Sequence, residues 1–306
     1  NSIPPALRTA ITVGIGLFLA IISLKSAGIV VSNPATIIAL GDLHQAAPIL
    51  AILGFFIIVA LDRLKVQGAI LIGILAITIA SFFFGGNQFN GIVSAPPAIE
   101  PTLFKLDIMG ALSIGIVNVV LVFFLVELFD ATGTLMGVAN RAGLLKDGKM
   151  ERMNKALLAD STAIAAGACL GTSSTTAFVE SAAGVQAGGR TGLTAVAVAL
   201  LFLGSLFFAP LAHTVPPYAT APALLYVACL MLRELTFIDW DDSTESIPAA
   251  ITALMMPFTY SVASGVAFGF ITYAVLKLLT GKGKQVSVVA YIIAAIFLFK
   301  FIYLGE

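Results

Sequence analysis

The sequence predicts an all-α polytopic membrane protein, and three observations carry that expectation. The 306 residues are 59% hydrophobic and only 10% charged, with a mean hydropathy of +1.05, a balance foreign to soluble domains. Apolar runs long enough for a helix to cross a hydrocarbon core, about 20 residues, recur along the chain. Two carboxylates, Glu127 and Asp130, stand inside one such run. Net charge is zero, which gives no footing for nucleic acid as a partner; the partner in bulk is the lipid bilayer.

Taken in order, the runs place spans at 6–24, 47–61, 67–85, 109–138, 155–170, 191–212, 219–232, 248–278 and 286–303. The run 248–278 is too long for one upright pass. Either Pro257 and Gly265 kink it, or it is two short passes. Arg63 and Lys65 follow the second span; Arg141, Lys146, Lys149, Arg152 and Lys155 follow the fourth; 87–100 and 213–220 hold no Lys or Arg. The positive-inside rule then puts 62–66 and 140–155 in the cytoplasm. Lys282 and Lys284 fall outside for one pass and inside for two. The polar segment 87–108, with Pro96, Pro97 and Pro101, reads as a linker between two structural units. SIPPA at 2–6 returns as SIPAA at 246–250, a short echo of the kind inverted repeats leave. Cys169 and Cys229 lack metal or redox spacing and read as small buried hydrophobes. His44, in a loop, and His213, at a span end, have no ligand cluster beside them. No signal peptide is visible. The chain opens on Asn1 close to an apolar span, so a fragment is expected.

A carboxylate at the bilayer centre costs about 2.5–3.5 kcal/mol or more. Glu127 and Asp130 are therefore expected to face a protein interior or a wet cavity. Their spacing of three puts them on one helical face, and Thr134 extends that stripe. The stretch 171–190 differs from its neighbours: a Ser/Thr-rich half, then a small-residue half, with Glu180 at the junction. It reads as a broken membrane element, extended backbone followed by a half-helix whose N-terminus faces a substrate. The alternative is an extramembrane loop with an exposed Glu. Asp160 either braces this element or is an interfacial Asp at a helix start.

VELFDATGTLMGVANRAG, ALLADSTA, GTSSTTAFVESAAGVQAGGRTGLTAV and IPAAITALMMPFTYSVASGVAFGF resemble the AzgA-like purine permeases of the nucleobase–cation symporter 2 group, which share the uracil-permease fold. The resemblance implies an inverted-repeat transporter of fourteen segments, with segments five to fourteen present here and a short strand in the broken segment ten. It implies gate-domain helices at 1–90, an extracellular linker at 91–108, half of a core domain with the substrate site at 109–212, and gate-domain helices at 213–306. Glu127 and Asp130 fall on the acidic pair of segment eight. Glu180 falls on the carboxylate of segment ten, flanked by Val179 and Ser181. With segments one to four absent, one wall of the pocket is missing, and the chain is not expected to transport alone. Glu127, where many relatives carry Asp, has the longer arm.

The expected activity is purine nucleobase:proton symport across the cell membrane, with no cofactor, no metal and no enzymatic step. Glu127 and Glu180 are expected to clamp the base through its N–H donors, with Phe178 or Phe129 over its face. Asp130 with Glu127 is expected to carry the coupling proton, since two nearby carboxylates repel when both are charged; Na+ remains an alternative ion. Thr134, Asp160 and Thr176 are expected as supports. Transporters of this architecture often pair, so a homodimer is a candidate assembly. Two other readings stand beside this one: the same fold carrying uracil, xanthine or an anion, and an intramembrane aspartyl enzyme using Asp130 with Asp160 or Asp42.

Overall fold

The computed structural model describes residues 4–87, 89, 91–115, 120, 122–146, 149–178, 181–186, 188–299 and 301–302. In chain order its elements are α1 (Pro5–Ser26), β1 (Val30–Asn33), β2 (Ile37–Leu40), α2 (Ala46–Arg63), α3 (Ala69–Phe84), α4 (Ile108–Gly115) and α5 (Val122–Arg141). Then come β3 (Leu145–Lys146), β4 (Lys149–Met150), α6 (Met153–Leu170), α7 (Ser181–Gln186), α8 (Gly192–Ser205) and α9 (Ala209–His213). The chain ends with α10 (Pro217–Met231), α11 (Ser243–Thr259), α12 (Val262–Leu279) and α13 (Val288–Phe299). It divides into two compact units, Asn1–Ile92 with Pro210–Glu306, and Val93–Ala209.

The first unit is built on small residues. Pro5 and Pro217 each stand in the first turn of their helices, where a missing N–H costs nothing. The buried positions are dominated by Ala and Gly, whereas Phe56, Leu71, Phe83 and Leu279 point outward. This inversion of a soluble core follows from the solvent. Lipid is as apolar as Leu, so helices associate by close backbone approach rather than by hiding large side chains. Gly14 of α1 meets Met256 and Ala253 of α11, and Gly16 meets Ala228 of α10. Five helices among the described residues are long and apolar enough to span a bilayer: Pro5–Ser26, Ala46–Arg63, Gly192–His213, Pro217–Phe237 and Val262–Leu279. The protein is a multi-pass membrane protein.

The long run at 248–278 is two helices. α11 ends at Thr259, Tyr260 turns left-handed at φ +52°, and Ser261 caps α12 by accepting from the Ser264 N–H at 3.1 Å. Neither suspected kink residue makes the break. Pro257 sits in the last turn of α11, and Gly265 lies inside an unbroken α12, where its lack of a side chain admits Met256 and the Thr252 carbonyl. The two helices are antiparallel, since Asp242 and Glu245 at the start of α11 pair with Lys282 and Lys277 at the end of α12. The antiparallel pair brings Lys282 back to the end of the hairpin at which α11 begins.

Other expectations need amendment. The run 109–138 contains α4 and α5, with 116–119 and 121 outside the described residues. Two antiparallel hairpins, β1–β2 and β3–β4, were not expected. The strand of the broken element is not seen among the described residues: 172–178 form no ladder, and a strand needs a partner for its N–H and C=O groups. Cys229 is exposed on α10 rather than buried, because Ala219, Ala221, Ala223 and Ala228 form the inner face of that helix.

Candidate functional site

The polar centre of the second unit is set by the way α6 stops. Gly171 turns left-handed at φ +81°. Its N–H donates to Ala168 O at 3.0 Å and the Thr172 N–H to Gly167 O at 3.0 Å, closing the helix as a Schellman motif does. Two more terminal carbonyls are met from the segment before α4. The Phe104 N–H donates to Cys169 O at 2.8 Å and Thr102 Oγ1 to Leu170 O at 3.0 Å. A Cβ at position 171 would stand 2.5 Å from Thr102 Cβ and 3.0 Å from Thr102 O. Both the backbone angle and the space therefore demand glycine. The segment read as a linker thus also serves as a helix cap.

From that fixed point residues 172–178 run without helix or ladder. Ser174 Oγ donates to Glu127 Oε2 at 2.9 Å, tying the segment to α5. The other carboxylate oxygen, Glu127 Oε1, is buried and has no hydrogen-bond partner among the described residues, and the same holds for Thr176 Oγ1. Asp160 of α6 faces the Ala177 backbone N–H and lies within electrostatic reach of Glu127. Thr134 is buried two turns along α5. A buried polar atom left unmet costs about 1–3 kcal/mol. The unmet oxygen of Glu127, whose other oxygen Ser174 holds, is the one such atom among the described residues that belongs to a hydrogen-bonded pair, and it calls for a partner from elsewhere.

A cleft of about 930 Å³ opens beside α5, α7 and α8, lined by Leu135, Val138, Phe178, Ser181, Arg190 and Phe202 among others. Leu135 stands eight residues beyond Glu127, about 12 Å along the helix, and Val138 continues the stripe of Glu127 and Thr134. Polar cluster and apolar cleft therefore succeed one another along one face of α5. Phe178 and Ser181 lie on the cleft, and its described lining contains no carboxylate. The side chains of Phe129 and Asp130, and residues Val179 and Glu180, lie outside the described residues. The expected half-helix is α7, six residues long. That is too short for the aligned peptide dipoles that would give its N-terminus a role.

Ser174 and Thr102 were not expected at this site. A Ser/Thr run after a helix end signalled the first, but its register gave no choice among five hydroxyl residues. Nothing in the sequence marked Thr102.

The profile of the Permease family matches residues 1–268. A permease of Methanocaldococcus jannaschii is 51% identical over 307 residues, spanning 100% of this chain and 70% of the relative. The adenine permease AdeQ of Escherichia coli K12 is 46% identical, spanning 99% of this chain and 68% of its own length. The guanine/hypoxanthine permease PbuG of Bacillus subtilis is 40% identical, spanning 99% and 70%. Such relatives move their cargo and are not enzymes, which removes the aspartyl-enzyme reading. With the profile covering most of its length and relatives this similar, the chain belongs to the Permease family, in the nucleobase–cation symporter 2 group to which its central motifs pointed.

Proposed function

We propose that this permease carries a purine nucleobase across the membrane together with a proton. The observation that carries the reading is the unmet oxygen of Glu127, fixed by Ser174 and buried in a membrane-embedded unit. A carboxylate is an acceptor that takes N–H donors, and every free purine base presents such donors along its edges. An anionic cargo would meet repulsion from Glu127 and Asp160. Related permeases named for adenine and for guanine/hypoxanthine support the purine class.

In this reading Glu127 accepts from one edge of the base and Glu180, on the segment-ten position, from another. Val179 and Ser181 flank it, and Phe178 covers a ring face. Protonation among Glu127, Asp130 and Asp160 relieves the like-charge repulsion and lets the loaded core (109–212) move against the gate helices (1–90 and 213–306), with 91–108 as their outer connection. Na+ in place of the proton, and pairing of two copies, are further outcomes to be measured.

The test is a binding titration of adenine, guanine, hypoxanthine, xanthine and uracil to the protein in nanodiscs. It is run in buffers of different protonation enthalpy, so that proton uptake is read directly. Purine binding with net proton uptake is expected. Glu127→Gln and Glu180→Gln should each weaken it by ten-fold or more while the protein stays folded. Uracil binding tighter than every purine would replace the cargo; binding without proton uptake but dependent on Na+ would replace the ion.

A further inference from the structure

We infer that the β1–β2 hairpin is a membrane-surface anchor: it lies in the headgroup region of the bilayer, with Ile37, Ile38 and Leu40 of β2 against lipid. The inference is independent of the cargo. Residues 26–41 contain no Asp, Glu, Lys, Arg or His. Val31 pairs with Ala39, Asn33 with Ile37, Ser32 with Ile38 and Val30 with Leu40, so Val31 and Ile37 share one face while Ile38 and Leu40 share the other. A sheet in water gathers its apolar side chains on one face and packs them. Here both faces are open: Ile37 is 79% exposed, Leu40 69%, and Val31 and Ile38 are exposed as well. The strand edges carry none of the charged side chains that keep such edges apart in water.

Ile37 supplies a second observation of a different kind. The turn at 34–36 is complete in itself. Asn33 Oδ1 accepts from the Ala35 and Thr36 N–H groups at 2.8 and 3.3 Å, and Thr36 Oγ1 donates to Ile38 O at 2.8 Å. The next residue, Ile37, is left-handed at φ +69°, a position that glycine ordinarily fills after a three-residue hairpin loop. A β-branched residue is disfavoured there. Its side chain gains no packing in return, because it points out of the protein. A bulky apolar residue kept at a glycine position is repaid only by a partner outside the chain.

Continuity says what that partner is. α1 and α2 are both long and apolar enough to span a bilayer, and the hairpin is tied to their ends. The Ile29 N–H donates to Leu24 O at 3.0 Å, and the Gly41 N–H to Ile29 O at 2.8 Å. Ile29, at the foot of the hairpin, also lines an apolar groove of about 210 Å³ between α1, α2 and α10, with Leu24, Phe55 and Phe56. Ile49, Leu53 and Phe56 carry the exposed apolar surface along α2. Hairpin, groove and helix face thus form one apolar band. The depth follows from the backbone. The outer N–H and C=O groups of a two-stranded hairpin have no ladder partner. The hydrocarbon core could not meet them, whereas the headgroup boundary, with its water, can. An anchor there holds the ends of α1 and α2 at a fixed height in the bilayer.

The experiment uses tryptophan fluorescence in nanodiscs that hold one copy each. Trp240 is the chain's single tryptophan, and Trp240→Phe gives a dark background. Ile37→Trp, Leu40→Trp and His44→Trp are added to it separately; the His44 side chain is fully exposed and lies just beyond the hairpin. The discs contain lipids brominated either high on the acyl chain or near its terminal methyl. Emission from Ile37→Trp and Leu40→Trp should fall by about two-fold or more with bromine high on the chain, the depth of an interfacial segment, and less with bromine near the methyl. His44→Trp should be untouched by bromine and open to aqueous acrylamide. Absence of bromine quenching at both hairpin positions overturns the inference: open to acrylamide, the hairpin stands in water; shielded from it, the hairpin packs on protein. Stronger quenching by bromine near the methyl overturns the assigned depth. Equal quenching at all three positions also overturns it, since the tryptophan and not the hairpin would then be seeking lipid. If Ile37→Trp does not fold, Leu40→Trp is read alone against His44→Trp.

Discussion

Lys277 Nζ lies 2.6 Å from Glu245 Oε1, joining α12 to α11 across the hairpin whose pass count the sequence left open. The lysine side chain is only 2% exposed and the glutamate 22%. The Tyr273 hydroxyl donates to the same carboxylate oxygen at 3.4 Å, the Gln285 amide oxygen stands 3.5 Å from the ammonium, and the ammonium lies 5.4 Å from the centre of the Tyr273 ring. One turn of chain further out, Lys282 Nζ meets Asp242 Oδ2 at 2.8 Å. Two ion pairs thus close the open end of the hairpin, and the Tyr260 turn closes the other.

Removing one member of the inner pair strands a buried charge. Lys277→Met should destabilise the protein by about 3 kcal/mol, the lower part of the range for breaking a buried pair, because Glu245 keeps some contact with solvent. The double change Glu245→Gln with Lys277→Met should recover most of that loss, since both charges leave together. Thermal melts of purified protein in detergent give the comparison. A double variant less stable than the single one would mean that the pair itself, rather than the stranded charge, holds the helices.

The same hairpin depends on Gly269. A Cβ there would run into the Thr252 hydroxyl and stand 3.0 Å from Thr252 Cβ. Thr252 cannot swing away cheaply, because its hydroxyl donates to Pro248 O at 2.7 Å and the residue is buried. Gly269→Ala should cost about 1–3 kcal/mol by overpacking, although alanine is the better helix former. Adding Thr252→Ala should return part of that cost. Melting temperatures of the two single variants and the double check it; stabilisation by Gly269→Ala alone would refute the close packing.

How far these features were legible follows from what each depends on. Apolar runs carry their own signal, so the limits of α1, α2 and α10 fall within a few residues of expectation. The turn at Tyr260 does not. Pro257 and Gly265 are breakers by type, yet Pro257 lies inside the last turn of α11 without ending it there and Gly265 serves α12 as contact surface. The β1–β2 hairpin has β-branched residues on both sides of Asn33 and Pro34, but its strands are only four residues each, a weak signal beside the long apolar runs. Glu127 was legible because a carboxylate in an apolar run needs a reason. Its partner Ser174 was not, because the register of the Ser/Thr run is fixed by Gly171 and Thr102, a contact between distant parts of the chain.

Asp242 gives a pH signature outside the membrane spans. The Lys282 hydrogen bond first, then those from the Thr244 hydroxyl and N–H, hold its carboxyl well below the ordinary aspartate value of 3.8. A carboxyl depressed in the folded state stabilises the fold above its unfolded pKa, and that contribution is lost as the pH falls toward the folded value. Wild type should therefore lose melting temperature steeply below about pH 4. Asp242→Asn should start lower at neutral pH and fall less steeply. Parallel curves for the two proteins would show that the Asp242–Lys282 pair and the α11 cap do not contribute.

Ser174 offers the sharpest separation of positioning from packing in the site. Its hydroxyl holds Glu127 Oε2 at 2.9 Å and leaves Oε1 aimed at whatever meets it. Ser174 is itself exposed, so its removal opens no cavity. Ser174→Ala should leave the melting temperature within a degree or two, since surface changes away from packing contacts are nearly neutral. It should still weaken purine binding by about 3- to 10-fold, because an unrestrained carboxylate must be ordered by the ligand each time it binds. Ser174→Thr keeps the donor and should restore affinity. The double change with Glu127→Gln is informative too: once the carboxylate is gone, loss of the Ser174 hydroxyl should add little, a coupling that a cycle of the four proteins measures. Additive losses in that cycle would show that Ser174 acts on the ligand by some other route than Glu127.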